Sequence, residues 1–149
     1  MSHPEFPGKT KTSGNDRDLM GNLQKRREML DMATQKTRFT LIQGIVSHVH
    51  EAPSLRELDL MNPTLSRSTI HEHLEKLIHV GVIERVINEE TKNEDGMTFT
   101  FYVLTPEGRE VLTGTGLFDA QDTLKHFYDR LEKTEEHKRL EQMPRPTRS

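Results

Sequence analysis

The sequence predicts a mainly helical α+β domain carrying one small β-hairpin. Three observations predict it. Apolar residues recur at helical spacing along most of residues 18–81. The period then changes to two over residues 98–104, where Phe99, Phe101 and Val103 share one face. A polar segment, 88–96, closed by Asp95-Gly96, separates that run from the apolar residues 82–87 and reads as a long hairpin loop.

Taken in order, residues 1–15 are rich in Pro, Gly, Ser, Thr and Lys and are expected to form a disordered tail. Within an N-terminal segment 16–34, Asp16 or Asp18 is the expected cap of a helix over about 18–33. Leu19, Leu23, Leu30 and Ala33 give it a thin apolar seam beside Met20 and Met29, interrupted by Lys25-Arg26-Arg27. So narrow a stripe suits packing against a partner, and this helix is expected to dimerise. A second helix, about 36–50, follows from Phe39, Ile42, Val46 and Val49, widened by Leu41 and Ile45, and Pro53 stops it. Ser54 with Glu57 three residues on is a capping-box pattern opening a short helix with Leu55 and Leu58. Asn62-Pro63 ends it in a turn. Ser66 is the next cap, Ile70, Leu74, Leu77 and Ile78 trace one helical face, and Gly81 terminates it.

After the hairpin, Thr105 caps a short helix with Pro106 at its first position, ending near Gly114-Thr115-Gly116. A last segment, 116–142, is expected to hold one long helix over about 120–141, capped by Asp119. Leu117, Ala120, Leu124, Phe127 and Leu131 make a short coiled-coil-like seam on it, the second expected dimerisation element. Residues 143–149 are expected to be a disordered, basic tail.

Composition excludes several function classes. Cysteine is absent, so there is no disulfide framework, thiolate metal site, cysteine nucleophile or thiol switch. No apolar run approaches the roughly 18 residues of a membrane span, and no signal-peptide pattern opens the chain, so a cytoplasmic protein without a membrane partner is expected. No Gly-rich phosphate loop or nucleophile elbow is visible, and an enzyme is not expected. The histidine pairs His48/His50 and His71/His73 stand two residues apart and point to different sides of a helix, so no metal or other cofactor is expected. The net charge of −3 hides a gradient. Residues 1–38 carry 8 basic and 5 acidic groups, residues 39–104 carry 5 and 10, and residues 105–149 carry 8 and 9. The most acidic part is the part with the strongest structural pattern, which counts against a basic nucleic-acid footprint.

The order helix, helix, turn, helix, strand, polar loop, strand nevertheless makes residues 35–115 a winged helix-turn-helix, flanked by the two dimerisation helices. Three runs carry a family resemblance: Leu65-Ser66-Arg67-Ser68-Thr69-Ile70-His71-Glu72-His73-Leu74-Glu75-Lys76-Leu77, Val80-Gly81-Val82-Ile83, and Leu104-Thr105-Pro106-Glu107-Gly108-Arg109. With them, residues 39–112 resemble the winged-helix DNA-binding domains of ArsR-, MarR- and PadR-like regulators. The flanking segments, with Tyr128-Asp129-Arg130-Leu131-Glu132-Lys133 and a Pro-Arg-Pro tail, are similar to regulators of halophilic archaea, including oxidative-stress-linked PadR-like ones. The resemblance implies a transcription regulator, a homodimer whose two recognition helices enter successive major grooves of a pseudo-palindromic double-stranded DNA operator.

The residue chemistry fits that implication. Ser66, Arg67, Ser68 and Thr69 open the recognition helix with hydroxyls for phosphate and an Arg for guanine, and His71 lies on the face of Arg67. Arg56, Lys36 and Arg38 are further candidate phosphate contacts, and Lys92 is the one cation of an otherwise acidic wing loop. The expected dimer residues are Leu19, Leu23, Leu30, Leu117, Leu124, Phe127 and Leu131. The acidic wing fits either a wing held out of the groove or a protein working in high salt, where repulsion is screened beyond about 3 Å at 1 M. Two rival readings stand beside this one: a winged-helix protein-interaction module and a ligand- or metal-responsive repressor.

Overall fold

A computed structural model describes residues 14–92 and 98–146. Residues 1–13 of the expected tail over 1–15, the tip of the hairpin loop and the last three residues lie outside the described residues. The described chain runs α1 (Gly14–Ala33), α2 (Lys36–Ser47), α3 (Leu55–Met61), α4 (Arg67–His79), β1 (Ile83–Lys92), β2 (Thr98–Leu104), α5 (Pro106–Leu112), a 3-10 turn (Thr113–Thr115), α6 (Gln121–Asp129) and α7 (Glu135–Gln142).

Local chemistry sets most of these ends. Gln35 accepts from the Arg38 amide at 2.9 Å and caps α2. Both bonds of the Ser54–Glu57 capping box form at α3: Ser54 Oγ accepts from the Glu57 amide at 3.2 Å, and Glu57 Oε1 accepts from the Ser54 amide at 3.0 Å. Thr105 Oγ1 accepts from the Gly108 amide at 2.8 Å and donates to the Gly81 carbonyl at 2.5 Å, with Pro106 opening α5. Gly81 takes φ +85°, which lets the chain leave α4 and enter β1 without a Cβ penalty. Gly108 is required by contact, since a Cβ there would lie 2.1 Å from the Val82 carbonyl oxygen.

One core forms where α1, α2, α4 and α5 meet the base of the hairpin. Met29, Leu41, Ile42, Ile45, Leu58, Ile70, Leu74, Leu77 and Leu112 are fully buried in it, with Val82, Ile83, Tyr102 and Leu104 from the hairpin. The two strands pair antiparallel, Ile83 opposite Leu104 through Asn88 opposite Phe99, and an irregularity follows between Asn88 and Lys92. The alternation of β2 then works as expected. Tyr102 and Leu104 face the main core, whereas Phe101 and Val103 face a second cluster with Ala52, Val86, Phe99 and Met143.

Five expectations need correction. Helix α1 begins at Gly14, so Asp16 lies inside its first turn rather than capping it. Helix α2 ends at Ser47, where His48 turns extended to become buried, and Val49 is exposed instead of continuing the apolar stripe. Strand β1 continues through the polar residues 88–92, because ladder hydrogen bonds need backbone and not apolar side chains. The last helix is two helices: α6 stops at Asp129, and Thr134 starts α7 by accepting from the His137 amide at 3.1 Å. Residues 143–146 are ordered, because Arg145 is anchored at several points, and do not form a loose tail.

Candidate nucleic-acid interface

The exposed start of α4 is built by Ser66. Its Oγ accepts from the Thr69 amide at 3.1 Å and lies 2.8 Å from Thr69 Oγ1 and 3.2 Å from Ser68 Oγ. This ties the hydroxyls to one another and fixes the first turn. Arg67 projects from that turn with its side chain 56% exposed, its Nη2 3.3 Å from Asp59 Oδ2 on α3. His71, one turn on, is exposed, with Nε2 3.4 Å from Glu75. The buried face, Ile70, Leu74 and Leu77, presses the helix onto the core and so presents the other face outward.

Between α3, the start of α4 and the hairpin lies a cleft of about 410 Å³. Arg56, Arg67, His71 and Arg85 line it, with Phe99, Thr100 and Tyr102 on the strand side. The structure therefore brings together three of the sequence candidates and adds Arg85, which sequence reasoning missed. The available signal was register: Arg85 lies opposite Tyr102 in the ladder, on the strand that follows α4 directly. Each arginine is held by a carboxylate of the same chain. Arg85 Nη1 donates to Glu75 at 2.6 Å, and Arg56 donates to Glu136 at 2.8 and 3.0 Å and to Asp59 at 2.7 Å. The bidentate Glu136 pair pushes the Arg56 guanidinium above its ordinary value and holds the Glu136 carboxyl below its own.

Lys36 and Arg38 are not among the residues lining this cleft. Lys36 is exposed at the start of α2. Arg38 is fastened inward, Nε donating to the Met32 carbonyl at 2.6 Å and Nη1 approaching His73 Nδ1 at 3.2 Å. The Lys92 side chain lies outside the described residues.

Of the expected dimer residues, Leu19, Leu23 (62% exposed) and Leu30 are open on α1, and Phe127 (60% exposed) and Leu131 are open around the end of α6. Leu124 is half-buried against the core. Leu117 is 4% exposed, so it serves the core of its own chain and has no surface for a partner.

A second constellation was not legible in the sequence. His48 and Glu57 are fully buried, His48 Nε2 lying 2.5 Å from Glu57 Oε2, and the Arg145 guanidinium closes on Glu57 Oε1. Ser54 Oγ also donates to Glu57 at 3.1 Å, and His48 Nδ1 accepts from the His50 amide at 3.1 Å. Burial pushes His48 below its ordinary value and favours the neutral ring, and because Nδ1 accepts from the His50 amide, Nε2 is the nitrogen left to donate to Glu57. Burial alone would raise Glu57, but the bonds from His48, Ser54 and Arg145 outweigh it and hold the carboxyl below its ordinary value. Among the described residues no three His, Asp or Glu side chains gather as a metal-holding cluster, and no helix is long and apolar enough to cross a membrane.

No family model and no curated protein matches the chain. A solved structure does. It is described as a protein with a GntR superfamily winged-helix-turn-helix domain from Halomicrobium mukohataei, with a TM-score of 0.71 over 87% of this chain and 88% of that one. The fold is a winged helix-turn-helix. In its terms α3 and α4 are the helix-turn-helix and β1–β2 is the wing. At 21% identity the likeness reaches the fold and no further.

Proposed function

We propose that this winged helix-turn-helix protein is a sequence-specific regulator of transcription that binds double-stranded DNA as a homodimer. The observation that carries the reading is the arginine-lined cleft, in which Arg67 on the first turn of α4 and Arg85 on the wing flank one groove. Arg67 is positioned to read guanine O6 and N7, and Arg56 and Arg85 suit phosphates. Asp59, Glu75 and Glu136 hold these arginines in the free protein, and on binding the phosphates take the carboxylates' place. The open apolar residues of α1 (Leu19, Leu23, Leu30) and of the α6 end (Phe127, Leu131) are assigned to the partner protomer. Two α4 helices then meet successive major grooves about 34–36 Å apart.

The pairing of every cleft arginine with a carboxylate also favours a second reading, in which an acidic peptide occupies the cleft. Selection from a pool of random duplexes, at 0.1 M and at 2 M KCl, separates the two. Enrichment of a palindrome supports the regulator. Enrichment only at 2 M adds that the acidic surface is a high-salt feature. No enrichment at either salt, from a folded dimer, supports the peptide-binding module.

A further inference from the structure

We infer that Arg145, in the strap that follows α7, is a positioning residue for DNA reading: it fixes the wing against the recognition helix. The inference rests on the proposed DNA-binding reading and adds a residue that does not line the cleft. Arg145 joins three parts of the fold. Nη1 donates to the carbonyls of Leu140 (2.7 Å) and Met143 (2.6 Å) and so closes the end of α7. Nε donates to the Ala52 carbonyl at 3.0 Å, and Nη2 pairs with buried Glu57, both on the frame that carries the helix-turn-helix. The guanidinium lies 4.4 Å over the Phe101 ring of the wing.

The neighbours of Arg145 in the strap grip the same sheet. Asn88 Nδ2 donates to the Pro144 carbonyl at 3.0 Å, and Met143 packs on the cluster of Phe101 and Val103. This grip matters because of where it acts. The base of the wing is already fixed, with Val82, Ile83, Tyr102 and Leu104 in the main core. Asn88 is five residues further along β1, about 16 Å from that base. A small rotation at the base moves the outer wing a long way, and the strap holds that outer part. Glu57, the acceptor of Arg145, is also the capping-box partner of Ser54 at the start of α3, and α3 carries Arg56 of the cleft and its partner Asp59. One guanidinium therefore sets wing and helix-turn-helix relative to each other.

The test compares wild type with Arg145→Ala, Arg145→Lys and Asn88→Ala, in the full chain. Amide hydrogen exchange is read on the wing and on α4, and affinity is read on the selected duplex with its flanking base pairs varied. In Arg145→Ala, exchange at residues 86–88 and 99–101 is expected to rise about tenfold while α4 residues 70–78 stay within about twofold. Affinity is expected to fall about tenfold, with the loss concentrated in preference for flanking pairs and the half-site centre read as before. Arg145→Lys restores part of both. Asn88→Ala leaves the buried pair intact and decides the matter if Arg145→Ala does not fold: it is expected to loosen the wing in the same restricted way. Unchanged wing exchange in the folded variants, or equal loosening of wing and α4, overturns the inference. If the wild type selects no duplex, the DNA-binding reading has failed, and the exchange comparison still decides whether Arg145 holds the wing.

Discussion

Arg67 reaches back across the helix-turn-helix to Asp59, at 3.3 Å, and meets an oxygen that Arg56 already holds at 2.7 Å. One carboxylate thus restrains two cleft arginines, and the arginine of α4 has the longer, more exposed contact. Exposed pairs of this kind contribute about 0–1 kcal/mol, which a phosphate or a guanine edge easily replaces.

Arg67→Ala is expected to cost about 1–3 kcal/mol of operator binding and to relax specificity at one base pair. Asp59→Asn, which releases Arg67 and leaves Arg56 to Glu136, is expected to strengthen non-specific DNA binding at low salt. Titrations of the selected duplex and of a scrambled one measure both effects. An unchanged base preference in Arg67→Ala removes Arg67 from base reading.

Leu23→Asp and Phe127→Asp place a charge on the two open apolar surfaces, and each is expected to weaken the dimer. Leu117→Asp is expected to unfold the chain instead, because Leu117 lies in the core of its own protomer. Sedimentation at micromolar concentration, with circular dichroism as a folding check, separates these outcomes. A Leu23→Asp and Phe127→Asp double variant that remains dimeric places the interface elsewhere.

Two glycine substitutions are expected to act in opposite directions. Gly108→Ala drives a Cβ against the Val82 carbonyl and lies 3.0 Å from Thr105 Oγ1. It is expected to cost about 3 kcal/mol, a fall of about 6–12 °C in Tm. Gly21→Ala lies in α1 with nothing within 4 Å of the added Cβ, and is expected to gain up to about 1 kcal/mol in helix propensity. Thermal melts check both.

Stability is expected to fall as the solution is acidified, in two stages. Burial keeps folded His48 below the ordinary value of 6.5, so the unfolded chain takes up that proton first and stability is lost as pH drops below about 6.5. Glu57, also held low, gives stability that is full above about 4.5 and is lost as pH falls further. The groups facing His48 are Glu57, Arg145, His50 and the Tyr128 ring, 5.6 Å away. His137 is lowered by burial as well and adds to the first stage. In denaturant titrations from pH 7.5 to 5.5, His48→Gln is expected to show a shallower slope than wild type. An unchanged slope contradicts the assignment of a buried neutral His48.

What the sequence revealed was mostly local. Ser54-x-x-Glu57, Ser66, Thr105-Pro106 and Gly81 are chemistry acting within four residues, and each sits where its pattern placed it. The alternation of Phe99, Phe101 and Val103 was equally readable, but not what it packs on. The break between α6 and α7 was hidden because Leu117, Leu124 and Leu131 keep a helical spacing, which masked the Thr134 cap. Arg145 and Glu57 are 88 residues apart, and no spacing connects them. Arg85 needed the ladder register before it had a side. The cleft was thus half legible: its helix was, and the strand and strap that shape it were not.

The most direct measurement is a hydroxyl-radical footprint of the protein on its selected duplex, in wild type and in Arg67→Ala/Arg85→Ala. Two protected blocks related by a two-fold axis, centred about 10–10.5 base pairs apart, are expected in wild type, and their loss in the double variant. A single block, uniform protection along the duplex, or a double variant that protects as wild type does would contradict the proposed function.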